Sequence, residues 1–168
     1  MPLKHSFLIR KATLDDAGGI ATVHVKAWQE SYQGIISQNV LDALSVEQRV
    51  PSWIKALQEF PERNFVACAN ETIIGFCIAG PSRSDMEKGE IYALYVLNAY
   101  KGMGVGYQLF SAATSFLAAK GLCPYIAQAL EANKPARAFY ERQGGTVCGT
   151  SSYTVDNKTY PEVCYQFE

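Results

Sequence analysis

At 168 residues, with 48% hydrophobic and 12% aromatic content, the chain is sized for one domain with its own core and is too apolar to be disordered. Its 15 Lys and Arg residues against 16 Asp and Glu give a formal net charge of −1 with no basic block, which argues against affinity driven by polynucleotide phosphates. No run approaches the ~18 apolar residues a membrane helix needs.

Ser6 to Ala12 predicts a first strand. Thr13 is placed to cap a helix whose first turn carries Asp15 and Asp16, and Ile20, Val23, Ala27 and Tyr32 mark its apolar stripe up to Gly34. A second helical region runs from Ser37 or Ser45 to Phe60, interrupted near Pro51 and ended by Pro61. Phe65–Ala69 and Ile73–Ala79 flank the short turn Asn70-Glu71-Thr72 and predict a hairpin. A polar loop from Pro81 to Lys88 leads to the run Glu90–Leu97, nearly continuous in apolar residues, as in a strand covered on both faces. A glycine-rich turn follows, then a helix over 105–119 with Val105, Leu109, Phe110, Ala113, Phe116 and Leu117 on one stripe, closed by Gly121 and Pro124. Tyr125–Leu130 is another strand. Asn133 caps a short helix ending at Gly144-Gly145, and Thr146–Val155 with Tyr160–Phe167 forms a last hairpin around Asp156-Asn157. The order βααβββαβαββ predicts a single α/β domain over residues 1–168, a mixed and mostly antiparallel sheet flanked by helices.

The five cysteines are odd in number and lack Cys-x-x-Cys spacing, so neither a zinc site nor any other metal is expected. Cys68, Cys77, Cys148 and Cys164 lie in strand-like runs and read as core thiols, a usage that suits a reducing cytoplasm. No signal-like stretch opens the sequence, and a cytoplasmic location is expected.

The turn Lys101-Gly102-Met103-Gly104-Val105-Gly106 carries most of the functional information. Strand, glycine turn and helix start together aim main-chain N–H groups at one point. Glycine lets an anion approach the backbone, and the first helical turn brings unpaired donors and a partial positive charge. The turn therefore reads as a phosphate cradle. It is not a Walker loop, which needs Lys-Ser or Lys-Thr after the glycines, and its Gly-x-Gly-x-Gly spacing differs from the dinucleotide fingerprint. A turn that merely lets a helix pack on a strand stays open on the glycines alone.

The second constellation is Asn133-Lys134-Pro135-Ala136-Arg137-Ala138-Phe139-Tyr140-Glu141-Arg142-Gln143-Gly144-Gly145. Asn133 and Tyr140 are seven residues apart, about two turns, and so share one side of a helix. With Lys101-x-x-Gly104-x-Gly106 and Asn133-x-x-Ala136-x-x-Phe139-Tyr140 in this order, and with the element order of the whole chain, the sequence resembles the GNAT acetyltransferase superfamily. Two departures stand out. Lys101 replaces the usual Arg or Gln and loses the planar fork that grips phosphate bidentately, and Gly145 stands where Phe is common.

The resemblance implies acetyl transfer from acetyl-CoA to a primary amine of a small molecule, amino acid or peptide, by direct attack in a ternary complex. It implies that the backbone of Leu94, Tyr95 and Val96 pairs with the pantetheine, with a bulge there splaying the sheet. The amides of Met103, Gly104, Val105, Gly106 and Tyr107, with Lys101 and Gly102, would hold the pyrophosphate, Asn133 the cofactor arm or a water, and Tyr140 would be the acid on the thiol side. Freeing the lone pair of an amine with a lysine-like pKa at pH 7 costs about 4.6 kcal/mol, so a base or a water chain is required. Glu90, eleven residues before Lys101, is the candidate base by analogy with the histone-modifying branch. Tyr92, two residues on, is placed to order a water relay. Trp28 and Tyr32 share a face of the first helix and are candidate acceptor-binding residues, with Glu30 and Gln33 nearby to receive a cation. His24 reads as structural. Partners are the amine acceptor and, by family analogy, a second copy in a homodimer; neither nucleic acid nor membrane is expected. The alternative is a non-catalytic acyl-CoA-binding sensor or scaffold module of the same fold, which would keep the glycines and lose Tyr140 and Glu90. A nucleotide-binding α/β protein is a remoter alternative.

Overall fold

The structure is a computed structural model that describes residues 6–168. Seven strands, β1 (Leu8–Lys11), β2 (Asn64–Ala69), β3 (Thr72–Pro81), β4 (Gly89–Val96), β5 (Tyr125–Leu130), β6 (Thr146–Val155) and β7 (Lys158–Phe167), form one sheet in the order β1-β2-β3-β4-β5-β7-β6. Every pairing is antiparallel except β4 with β5. Five α-helices cover it: α1 (Ala17–Tyr32), α2 (Gln38–Asp42), α3 (Val46–Glu59), α4 (Val105–Ala119) and α5 (Lys134–Arg142).

The helical region after Gly34 is two helices, where the sequence predicts one interrupted by Pro51. Ser45 accepts a hydrogen bond from the Gln48 N–H and starts α3, and Pro51 lies inside that helix without breaking it. The break falls earlier, between Asp42 and Val46, where no proline marks it. Both two-residue hairpin turns use left-handed backbone at non-glycine residues, Asn70 and Glu71 (φ 49° and 68°) and Asp156 and Asn157 (φ 51° and 60°). This is the twist-matching geometry of tight hairpins, in which Asn and Asp are well tolerated.

The strand alternation sorts two cores. Phe65, Ala67 and Ala69 of β2 join Val105, Leu109, Phe110, Ala113 and Leu117 of α4 and Tyr140 of α5 on one face. Val66 and Cys68 join Ile20, Val23 and Ala27 of α1 and Trp53 and Leu57 of α3 on the other. The interior of β2 is thus buried on both sides, which explains its unbroken apolar run. Cys77 is fully buried, as expected of a core thiol, and Cys68 nearly so. Cys148 is a correction: it is exposed at a register shift of β6, its Sγ 2.9 Å from that of half-buried Cys164.

His24 belongs to the second core. It stacks on Tyr95 and meets Trp28, Trp53 and Phe76 edge-on, and its Nδ1 accepts the indole N–H of Trp53 at 3.2 Å. Burial, aided by the Arg49 charge, pulls its pKa from 6.5 down to about 4. The folded state therefore keeps a neutral imidazole where the unfolded chain would take up a proton. That contribution is complete above pH 6.5 and is lost as the pH falls towards 4. From about pH 7 to about pH 4, the unfolding free energy of the wild type is expected to drop about 3 kcal/mol further than that of His24→Phe, read from urea titrations at each pH. Parallel pH curves for the two proteins would show that the imidazole does not titrate this way.

Candidate functional site

The sheet parts between β4 and β5. These strands pair only at Gly89 with Tyr125, Glu90 with Ile126 and Ile91 with Ala127. The register against β3 then shifts: Ile91 faces Ala79 and Ala93 faces Ile78, leaving Tyr92 as the extra residue of a β-bulge. The bulge lies two residues before the 94–96 segment where it was expected. It resets the alternation, so that Ala93 and Tyr95 pack towards the α1 core while Leu94 and Val96 pack towards the α4 core. Beyond Ile91 the β5-facing edge of β4 has no strand partner and borders a cleft of about 470 Å³.

At one end of the cleft stands the glycine turn. Gly104 is the N-cap of α4 with φ 86°, a left-handed conformation costly for any residue with a side chain, and a Cβ there would meet open space. The first bond of this helix runs from the Gln108 N–H to the Gly104 carbonyl at 3.0 Å. The N–H groups of Val105, Gly106 and Tyr107 precede it and project from the helix end. Lys101, Gly102, Gly104, Val105, Gly106 and Tyr107 all line the cleft, joined by the cation of Arg142. Met103 does not: its side chain is exposed beside the turn.

The α5 helix forms the facing wall. Asn133 caps it, its Oδ1 accepting the Ala136 N–H at 3.3 Å, and both residues line the cleft. Pro135, Ala136, Phe139, Tyr140 and Gln143 continue the wall along one helical stripe. Tyr140 is buried against Phe110, Tyr165 and Phe167 and still lines the cleft. Burial pushes its phenol well above the ordinary tyrosine range, so it stays protonated. Pro135, Phe139, Arg142 and Gln143 belong to the constellation read from the sequence but were not singled out as site residues; Gln143, three residues from Tyr140, is the one that helical spacing would have found.

At the other end lie Ser31, Tyr32, Tyr92, Tyr95 and Gln128. The hydroxyls of Tyr32 and Tyr95 are 3.0 Å apart. Burial pushes Tyr32 up to about 12 and Tyr95 well above its ordinary value, so both are proton-bearing hydroxyls across physiological pH. Tyr92 donates its hydroxyl to the Pro81 carbonyl. Gln128 and Ser31 carry no motif, and nothing in the sequence singled them out.

Three expected site residues stand elsewhere. Glu90 is buried outside the lining; its carboxylate accepts from the Arg83 guanidinium at 2.6 Å and from the Arg83 main-chain N–H at 3.0 Å. Both oxygens are committed, which fits an anchor for the loop between β3 and β4 and not a base reaching into the cleft. Trp28 is a buried member of a cluster with Tyr32, Ile36, Leu41, Leu130 and Tyr160, outside the lining. Its indole N–H affects the Tyr95 hydroxyl but has no acceptor at hydrogen-bonding geometry. Glu30, expected near a cationic acceptor, instead accepts the Asn98 N–H at 2.7 Å, tying α1 to the segment that leads into the glycine turn.

The cleft thus offers main-chain donors and two cations at one end, an unpaired strand edge along its length and buried tyrosines beyond. These features fit a long ligand with a phosphate-bearing end and an amide-bearing arm, the form of a coenzyme A thioester. Among the described residues no group of three or more His, Cys, Asp or Glu is arranged to hold a metal ion, and no helix is long and apolar enough to cross a membrane.

Comparison with known proteins agrees with this architecture. Residues 25–145 match the model of the acetyltransferase (GNAT) family. A Bacillus subtilis (strain 168) protein described as the uncharacterized N-acetyltransferase YuaI is 32% identical over 137 residues, 79% of this chain and 76% of that protein. Among solved structures, the PaiA N-acetyltransferase of Thermoplasma acidophilum, determined in complex with coenzyme A, superposes with a TM-score of 0.72 at 22% identity, covering 94% of this chain and 98% of its own. An N-acetyltransferase from Staphylococcus aureus Mu50 superposes with a TM-score of 0.76 at 19% identity, covering 97% and 98%. The parted sheet, the glycine turn before α4 and the match over most of the sequence lead to one conclusion: this chain is a member of the GNAT acetyltransferase family.

Proposed function

We propose that the protein transfers an acetyl group from acetyl-CoA to a primary amine, with both substrates bound together in the cleft between β4 and β5. The observation that carries this reading is the alignment of three features along one cavity: the helix end at Gly104, the unpaired edge of β4 and the phenol of Tyr140. Acetyl-CoA supplies an acyl carbon activated by its thioester. The N–H groups of Val105, Gly106 and Tyr107, backed by the α4 dipole and by Lys101 and Arg142, bind the diphosphate. The β5-facing main-chain groups of Leu94, Tyr95 and Val96 hydrogen-bond the pantetheine amides, completing a strand edge that β5 leaves open.

Tyr140 acts on the sulfur. A buried phenol whose pKa lies above the ordinary value of 10.0 does not give up its proton readily to a sulfur whose thiol titrates near ~8.5. Its contribution is a hydrogen bond to charge that develops as the carbon–sulfur bond lengthens, in a site where little solvent competes. The amine proton leaves by another path. The lining contains no Asp, Glu or His, so water entering from the open side of the cleft removes it, passing the hydroxyls of Tyr32 and Tyr95.

Tyr140→Phe is expected to lower kcat by about 10²-fold while KM for acetyl-CoA stays within about twofold, measured by release of free thiol. A change in cofactor affinity with kcat intact would show that the hydroxyl only packs. Gly104→Val forces a branched side chain into left-handed backbone at a glycine that lines the cleft. It is expected to weaken coenzyme A binding by at least about tenfold in calorimetry, with the circular dichroism spectrum unchanged. Wild-type affinity in that variant would remove the phosphate role from the turn.

A further inference from the structure

On the α1 side of the sheet the cleft is bounded at Gln128 of β5, and β7 and β6 continue the sheet beyond it. Gln128 of β5 lines the cleft and stands opposite Cys164 of β7; two residues along, Leu130 stands opposite Glu162, which pairs in turn with Ser151 of β6. By strand alternation Gln128, Glu162 and Ser151 project from this one face. The Ser151 hydroxyl is 2.6 Å from Oε1 of Gln128 and 3.2 Å from Oε1 of Glu162. The single hydroxyl proton is shared between these two oxygens, with the shorter contact to Gln128, so it orients the Glu162 carboxylate without neutralising it.

The charges around this carboxylate can be followed one by one. Arg83 faces Glu162 but is bound to Glu90 at 2.6 Å. Arg49 sits over the Trp28 ring, 5.8 Å from its centroid. Among the described residues Glu162 has no ion-pair partner within 4.0 Å, and it is only half-buried. Its charge is felt at Tyr32, which lines the cleft, and at Tyr153, whose ring packs edge-on to Trp28. A carboxylate held on a strand, whose charge reaches two phenols and which has no ion-pair partner within 4.0 Å among the described residues, is the complement of an organic ammonium group.

We infer that Glu162, oriented through Ser151 beside Gln128, anchors a second ammonium group of the acceptor, so that the preferred substrates are diamines or molecules bearing two amines. This rests on the acetyltransferase reading of the cleft. The attacking nitrogen is not the one Glu162 holds. A carboxylate stabilises the protonated form of a bound amine, which opposes attack by that nitrogen, whereas a second nitrogen loses nothing by staying charged.

The test compares cadaverine with n-pentylamine, which share a carbon chain and differ by one ammonium group. With the wild-type protein loaded with coenzyme A, cadaverine is expected to bind about tenfold or more tightly than n-pentylamine in calorimetry, and to show the lower KM in thiol-release assays. Glu162→Gln is expected to erase that difference by raising KM for cadaverine, leaving kcat and the n-pentylamine constants unchanged. Ser151→Ala, a change at an exposed position, is expected to shift cadaverine alone in the same direction. Equal binding of the two amines by the wild type, or equal losses for both in Glu162→Gln, would overturn the anchoring role; a kcat loss shared by both amines would make Glu162 a base or a structural residue instead. Selective cadaverine binding without turnover of any amine would leave the anchor standing and sink the acetyltransferase reading, whereas turnover of both amines with equal KM would do the reverse.

Discussion

The separation of β4 from β5 after three paired residues is the constraint on which the site depends. A continuous sheet would satisfy the main chain of residues 92–96 on both sides; here it is satisfied by β3 alone. Buried main-chain donors and acceptors left without partners cost free energy comparable to a lost hydrogen bond each. A structure that opens its sheet needs water or a ligand at the gap, and the gap is shaped for something that carries its own amides. The opening remains stable because the core beneath it does not part. Ile91, Leu117, Tyr125, Ala127 and Phe167 pack in one cluster that spans both halves of the sheet, with Tyr125 and Phe167 stacked at 5.0 Å.

The two ends of the cleft differ in electrostatic character, and this gives it a direction. The glycine-turn end gathers the positive pole of α4 with Lys101 and Arg142. The opposite end gathers hydroxyls that burial keeps protonated, Tyr32 and Tyr95, and the charge of the Glu162 carboxylate is felt at Tyr32. A ligand with an anionic head is therefore drawn to one end and a cationic one to the other. Between them Tyr140 reaches the cleft from α5 through a closely packed aromatic cluster. Rigid packing around that phenol matters, because a donor that must reorganise during the reaction gives back part of what it stabilises.

The sequence made the helix α4 and its turn legible because every local signal agreed there: strand run, glycines, an apolar stripe of helical period and a glycine close. The same holds for α5, where Asn133 is both cap and lining residue. The bulge at Tyr92 was not legible, since a single extra residue leaves no trace in an alternation that is apolar on both faces. The break between α2 and α3 was missed for a related reason. Pro51 offered an obvious interruption; as the sixth residue of α3 it gives up the bond to the Glu47 carbonyl, yet the helix continues through it, held by Trp53 and Leu57 in the core. Gln128, Glu162 and Ser151 lie on three different strands and converge only through pairings that residue spacing does not encode.

Glu90 shows how a matched spacing can mislead. Its distance from the glycine turn agrees with that of a catalytic glutamate in one branch of the family, but position along a strand fixes only where the backbone sits. Here the loop from β3 to β4 places Arg83 over the strand start, and its guanidinium and main-chain N–H close on the carboxylate from two directions. Glu90 is buried although Arg83 is largely exposed, so opening the pair would leave a buried carboxylate without its cation. The interaction that would have made Glu90 a base is spent on holding the loop, and Arg83 in turn is withdrawn from Glu162. Fixing the loop and leaving Glu162 on the neighbouring strand without an ion-pair partner are therefore two consequences of a single ion pair.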